Sequence, residues 1–191
     1  MTVASKNQPP LQPLMAGTIE EAAISLLGCH IIKGEVRVRI TEVEAYSGAD
    51  DPASHAFRGI TKRNAPMFGP PGHAYVYFCY GMHWMFNISA LMTGTPGAVL
   101  IRAAQPICGI DLIRERRRSN QRETNLLNGP GKVCQALGIS GDQNGVYLFD
   151  SEASINIEQG KNVTAYCVTK RIGIAEGKGE SLLRRYVETA Q

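Results

Sequence analysis

The sequence predicts a mixed α+β fold, a single domain built mostly on antiparallel β-structure, and three observations carry that expectation. Residues 35–46 alternate apolar and polar side chains over a long run, the period-2 signature of a half-buried strand. Residues 74–90 hold two aromatic-rich runs on either side of Tyr80-Gly81, which reads as a protruding hairpin. Strand signals outnumber helical ones, and few neighbouring strands are separated by a helix, so a doubly wound parallel sheet does not fit. With 191 residues, 43% hydrophobic and 19% charged, the chain suits one core.

Residues 1–13 are polar and Pro-rich and are expected to form a loose tail, leaving 14–191 as the domain. Thr18-Ile19-Glu20-Glu21 has capping-box spacing and an apolar run follows, so the spacing predicts a helix over 18–28. The strand 35–46 comes next. Residues 47–73 contain four glycines and four prolines and read as one long loop, which in a compact domain usually has a function. The hairpin 74–90 is followed by a short apolar strand at 98–104, a helix with a basic end at 109–118, and a short helix at 130–137 entered through Asn128-Gly129. Further strands are expected at 146–149, 153–158 and 163–169, with the weakest signal at 181–187.

Composition narrows the function classes. Twenty basic against 17 acidic residues give a net charge of +3, which permits nucleic-acid binding without demanding it. Clustering matters more: Arg114, Arg116, Arg117, Arg118 and Arg122 lie close together, and Arg58, Lys62 and Arg63 fall in the long loop. Such clusters fit either a solvated helix face or contact with a DNA backbone. The five cysteines are odd in number, widely spaced and form no C-x-x-C, and the four histidines show no H-x-x-x-H spacing. That argues against a disulfide framework and a zinc site, so a reduced, metal-free intracellular protein is expected. No basic segment leads into an apolar run, and no apolar stretch approaches the roughly 20 residues of a membrane span.

The residues that could carry chemistry are few. In 36–46 the even positions are Val36, Val38, Ile40, Glu42, Glu44 and Tyr46, so strict alternation drives an apolar face into two glutamates. A buried carboxylate is costly unless paired or hydrogen-bonded. A glutamate beside an aromatic wall can serve as a general base; equally, the strand can leave the core there and wet both side chains. Tyr75 and Tyr77 share strand parity, whereas Tyr80 breaks it at the hairpin tip. Tyr80 is either a wedge for stacked flat faces such as DNA or the incidental tip of a core strand. Arg102, ending the apolar run 98–101, fits a buried partner for a glutamate or a solvated strand end. Asn87 fits a reader of a base edge or a backbone-bonding amide, and His55 lies in the long loop. Gly129-Pro130-Gly131-Lys132 lacks the spacing of a nucleotide-triphosphate loop, although a helix N-terminus with a lysine can touch one phosphate.

Several short motifs in order cover most of the chain. Glu42-Val43-Glu44-Ala45-Tyr46 leads to His55, and Lys62-Arg63-Asn64 to Met67-Phe68. Tyr75-Val76-Tyr77 continues to Tyr80-Gly81-Met82 and Asn87-Ile88-Ser89. Val99-Leu100-Ile101-Arg102-Ala103, Asn128-Gly129-Pro130-Gly131-Lys132 with Cys134-Gln135-Ala136-Leu137, and Arg171-Ile172-Gly173 complete the set. With these runs the chain resembles the alkyladenine (3-methyladenine) DNA glycosylase family. The resemblance implies one domain on a curved, open-barrel-like antiparallel sheet, with a few flanking helices and the aromatic hairpin protruding. It implies a monofunctional glycosylase of base excision repair that flips and hydrolytically releases alkylated or deaminated purines of the 3-methyladenine, 7-methylguanine, hypoxanthine and ethenoadenine type. The implied partner is duplex DNA containing such purines, with no membrane, cofactor or metal. The enzyme would act as a monomer in the cytoplasm at the nucleoid, or in the nucleus of a eukaryote.

By that resemblance Tyr80 fills the gap left in the base stack, with Met82 and Arg63 also on the DNA. The extruded base lies between Tyr46 on one side and His55 with Tyr77 on the other. Asn87 crowds the amino group of guanine, and a backbone group of His55 reads an adenine-type edge. Glu44 deprotonates the attacking water, which Arg102 and the carbonyl of Ile172 help to hold. The chain departs from the mammalian-type pattern in a longer loop between Asn87 and Arg102, in His83 and Trp84, and in Ala65-Pro66, all near the expected DNA surface. A damaged-DNA-binding module without catalysis and a hydrolase of free nucleosides are the other classes these residues could serve. The second would leave the wedge and basic loop without a purpose.

Overall fold

In the computed structural model, which describes residues 11–189, the chain begins with α1 (Leu11–Ala16), α2 (Ile19–Leu26), β1 (His30–Lys33) and β2 (Val36–Tyr46). After the long loop, which holds one 3-10 turn at Ala65–Phe68, come β3 (Ala74–Cys79), β4 (His83–Ser89) and β5 (Ala98–Cys108). Then follow α3 (Ile110–Arg117), α4 (Glu123–Leu126), α5 (Pro130–Leu137), a 3-10 turn at Gly141–Gln143, β6 (Asn156–Glu158), β7 (Tyr166–Thr169) and β8 (Arg185–Glu188). The tail expected for 1–13 lies outside the described residues as far as residue 10. Residues 11–13 open α1, whose Leu14 is fully buried and accepts a backbone hydrogen bond from Leu91 at 2.6 Å.

The strands form one antiparallel sheet in the order β3-β4-β5-β2-β1-β6. One edge of β2 is divided: residues 36–39 pair with β1 and residues 42–44 with β8, which in turn carries β7. The other edge pairs with β5 along its whole length. A sheet whose central strand changes partner midway cannot stay flat, and this one curls into an open half-barrel. The helix α2 forms as its sequence dictates: the Thr18 hydroxyl accepts from the Glu21 amide at 3.2 Å, and the Glu21 carboxylate accepts from the Thr18 amide at 2.7 Å. Apolar faces of α2 and α5 pack against one face of the sheet, burying Ala23, Leu26, Val133 and Leu137 with Ile40, Ile88 and Ile101.

The puzzle of the apolar face that runs into two glutamates has a structural answer. Val36, Val38 and Ile40 face the main core, but so do Val43 and Ala45. The register explains it: Ile40 pairs with Ala104 and Val43 with Ile101, with shifts on either side of Glu42. Both strands therefore take three residues over this step, and the irregularity turns each by one face. Beyond it, the even residues Glu44 and Tyr46 of β2 and Leu100 of β5 stand on the face opposite the main core. Tyr75 and Tyr77 of β3 join them, since Ala74 and Val76 occupy the core side.

Some expected elements differ. Residues 146–149 are not a strand. Tyr147 makes only an isolated bridge with His73, while the backbones of Val146 and Leu148 bond to Ala74, Gly72 and Ile157. Loop neighbours satisfy these groups, so no ladder forms. The strand expected over 153–158 shrinks to β6, and that over 163–169 to β7. β5 runs on to Cys108, beyond the expected end at 104. β1 and the single-turn α4 carry too few residues for a periodic signal.

Candidate active site

The face opposite the main core holds a second, smaller apolar cluster: Ala56, Met67, Tyr75 and Ala98, with Tyr46, Phe68 and Tyr77 packed against it. The long loop 47–73 roofs this face. Between roof and sheet lies a cavity of about 320 Å³, within the range of small-molecule sites. Its lining includes Tyr46, His55, Tyr77, Asn87, Arg102 and Ile172, drawn from four strands and two loops far apart in sequence. Tyr80 reaches its rim. Of the remaining expected residues, Met82 lies exposed at the hairpin tip, and Arg63 sits with its Cζ 5.0 Å from the Tyr77 ring centroid.

Glu44 does not line the cavity; it is fully buried directly behind it. The Tyr46 hydroxyl donates to its Oε2 at 2.7 Å, the Ile172 amide donates to its Oε1 at 2.8 Å, and Arg102 Nη1 lies 3.3 Å from Oε1. The contact from Ile172 is thus made by its N–H. A carboxylate offers about four lone-pair positions, so these three partners leave one for a further donor. Glu42 plays a different part: it accepts from Arg102 Nε at 2.9 Å and from Arg185 Nε at 2.7 Å, clamping β2 to β5 and β8. Of the two glutamates, Glu42 organises two arginines and Glu44 keeps one lone-pair position open. Burial, then the Glu44 charge and its hydrogen bond, push the Tyr46 phenol up, so it stays a neutral donor.

The other wall is ordered by Tyr75, for which the sequence offered no role beyond its shared parity with Tyr77. Its hydroxyl lies 2.8 Å from His55 Nδ1, and the His55 ring stands edge-on to Tyr77 with centroids 4.6 Å apart. Burial, aided by the nearby Arg63 charge, holds the His55 imidazole below its usual range, and burial pushes the Tyr75 phenol up to about 12. The His55 carbonyl accepts from Asn64 Nδ2 at 2.8 Å, which fixes the loop above the cavity. Asn87 is buried and donates to the Tyr75 carbonyl at 3.0 Å. Cys79-Tyr80-Gly81-Met82 is a β-turn within the three-residue hairpin loop, with positive φ at both central residues, 52° and 65°, closed by Met82 N–H to the Cys79 carbonyl at 3.1 Å. Glycine suits that backbone and tyrosine does not. Tyr80 is held there with 84% of its surface exposed, so neither local conformation nor burial explains it.

Sequence reasoning missed Asp51 and gave Arg171 no role beyond its place in the Arg171-Ile172-Gly173 motif. Arg171 Nη1 and Nη2 bond Asp51 at 2.6 and 2.7 Å with both side chains wholly buried, and Nη1 also donates to the Ala45 carbonyl at 3.0 Å. The guanidinium Cζ lies 4.5 Å from the Tyr46 centroid. This pair ties the segment bearing Ile172 to β2. Nothing in the local sequence around Asp51 marks it, and the motif that holds Arg171 does not reveal its partner. The basic cluster at 114–122 is partly structural: Arg116 donates to the Ala136 carbonyl and Arg117 to that of Leu126, tying α3 to α5 and α4. Lys132 is occupied by Asn128 and Asn125. Among the described residues there is no group of three or more His, Cys, Asp and Glu that could hold a metal ion, and no helix is long and apolar enough to cross a membrane.

The family model of methylpurine-DNA glycosylases matches residues 14–191. The chain belongs to the methylpurine-DNA glycosylase family. A Nocardia farcinica relative named as a 3-methyladenine DNA glycosylase is 45% identical over 161 residues, 81% of this chain and 76% of that protein. The DNA-3-methyladenine glycosylase of Arabidopsis thaliana is 46% identical over 154 residues, 81% of this chain and 60% of the plant protein. A Burkholderia lata relative, also named as a 3-methyladenine DNA glycosylase, is 51% identical over 119 residues, 62% of this chain and 58% of its own length. The chain thus spans less than two thirds of the last two. As a methylpurine-DNA glycosylase family member it is a DNA glycosylase for alkylated bases. The curled antiparallel sheet with few helices agrees with the fold expected from the resemblance.

Proposed function

We propose that this glycosylase flips a damaged purine nucleotide out of duplex DNA and hydrolyses its glycosidic bond with Glu44 as general base, leaving an abasic site. The observation that carries the reading is a fully buried carboxylate held by Tyr46, Ile172 and Arg102 directly behind an aromatic-walled cavity. The base enters between Tyr46 and the His55–Tyr77 pair, where an electron-poor alkylated ring gains from stacking and a cationic one from the ring faces. Tyr80, already exposed on a strained turn, occupies the gap in the duplex, with Met82 and Arg63 against the neighbouring bases. Flipping costs a few kcal/mol, about least where the damaged pair is already weak.

Chemistry then needs little movement. A water beside C1′ gives its proton to Glu44 as its oxygen bonds C1′, and the electron pair of the C1′–N9 bond leaves with the purine. The transition state carries positive charge on the sugar, so the same carboxylate acts as base and as opposing charge. Arg102 fixes the carboxylate and the water. Asn87, whose amide nitrogen is committed to Tyr75, disfavours the amino group of unmodified guanine, and a backbone group of His55 reads an adenine-type edge. In this reading the enzyme works as a monomer, in the cytoplasm at the nucleoid or in a nucleus. A module that only bound DNA would have no use for a buried glutamate aimed at the cavity. The test is base release from duplexes carrying methylated, deaminated or etheno purines with no metal added. Release of at least one class is expected, and no release from any of them refutes the proposal.

A further inference from the structure

We infer that the charge behind the two aromatic walls sets how this enzyme ranks cationic purines against neutral ones, and that Asp51 is the residue that holds this charge down. The inference rests on the stacking arrangement proposed above. Each wall ring carries a guanidinium that does not line the cavity: Arg171 lies 4.5 Å from the Tyr46 centroid, and Arg63 lies 5.0 Å from that of Tyr77. A purine stacked between the rings would have a positive group beyond each of them, roughly 8 Å away for ordinary ring contact.

The two arginines are not equivalent. Arg171 is matched by the bidentate, fully buried Asp51. Arg184 also approaches Asp51, at 3.4 Å, but it is matched in turn by Glu20 at 2.8 Å and Asp50 at 3.2 Å. Arg63 is exposed and has no carboxylate within 4.0 Å among the described residues. The other charges at this end of the cavity balance, Glu42 and Glu44 against Arg102 and Arg185. Behind the Tyr46 ring two arginines thus face three carboxylates and leave no positive excess, whereas the Tyr77 wall is positive.

That asymmetry acts differently on the two classes of base. In both, water oxygen bonds C1′, Glu44 takes the proton, and the C1′–N9 electron pair leaves with the purine. An N7-methylated guanine enters as a cation and leaves neutral. Hypoxanthine enters neutral and leaves with negative charge until it is protonated. Positive charge behind the walls opposes entry of the first and stabilises departure of the second. At an effective dielectric constant of about 20, one unit charge at this distance changes the balance by about thirtyfold.

The experiment is single-turnover release of N7-methylguanine and of hypoxanthine from otherwise identical duplexes, with enzyme in saturating excess so that DNA affinity does not enter. Asp51→Asn should slow the cationic base and shift the ratio about thirtyfold toward hypoxanthine. The doubly neutral Asp51→Asn/Arg171→Gln should restore the ratio, even if both rates fall. Arg63→Gln, at an exposed position, should shift the ratio the other way and speed release of the cationic base. Should Asp51→Asn fail to fold, Arg63→Gln decides. An unchanged ratio in the folded variants overturns the inference, as does a double variant that behaves like Asp51→Asn. If the wild-type protein releases neither base, the proposed function falls and the inference with it; a wild type active on both with unresponsive ratios refutes this inference alone.

Discussion

Replacing Glu44 with glutamine separates binding from chemistry better than any other change at the site. Glutamine keeps the carboxylate shape. Its carbonyl oxygen can still accept from the Ile172 amide, and its amide group can donate to the Tyr46 hydroxyl, which rotates to accept. Arg102 retains its bond to Glu42. Two charge-assisted hydrogen bonds become neutral ones, a loss of about 1 kcal/mol each. Relief from burying a charge offsets most of that, so folding stability should change by no more than about 1 kcal/mol. The catalytic loss is larger. Removing a positioned general base costs about 10²–10⁴-fold, roughly 3–5 kcal/mol of barrier. The assay is single-turnover excision with excess enzyme, set beside fluorescence anisotropy with the same lesion-bearing duplex. Excision should fall by about 10³-fold while the dissociation constant stays within a few-fold. Excision retained within tenfold, with the fold intact, refutes Glu44 as the base.

Other outcomes follow from the same geometry. Tyr80→Gly should stabilise the fold by about 0.5 kcal/mol, because the left-handed turn then suits its residue, yet weaken binding to lesion-bearing duplexes; unchanged binding counts against the wedge. Trp84→Ala, which removes the ring packed on Phe78 at 4.8 Å and against Gly141, should cost about 2 kcal/mol in denaturant unfolding and loosen the hairpin; a loss near zero shows that the hairpin stands without this brace. The pKa values of His55 and His30 are both lowered, chiefly by burial, so below the unfolded value near 6.5 the unfolded chain binds more protons than the folded one. Stability should therefore fall as pH drops from about 7.5 to 5, and less steeply in His55→Gln; thermal midpoints that do not move with pH contradict the assigned directions. Asp51→Asn should cost about 3 kcal/mol by leaving Arg171 buried without its partner, and Asp51→Asn/Arg171→Gln should cost less than the two single changes added; additive losses by chemical denaturation show that the pair is not coupled.

The chain's local chemistry determined a good deal. The Thr18–Glu21 capping box specified α2, alternation specified β2, and Tyr80-Gly81 specified the hairpin tip, because each depends on neighbours within a few residues. Parity correctly put Tyr75 and Tyr77 on one face. The motifs in order also named most residues that come together at the cavity. Tertiary structure decided the rest. Strict alternation could not reveal the paired irregularity at Thr41–Glu42 and Arg102–Ala103, since it depends on two strands about sixty residues apart stepping together. That irregularity takes Glu44 and Tyr46 off the main core and places them behind the cavity. Nor could spacing reveal that Asp51 and Arg171 meet as a buried pair beside Tyr46, because burial and pairing exist only once the segments have packed. The sequence named the groups that could do the chemistry. The packing of the sheet against its long loop gave each one its partner, and with the partner its role.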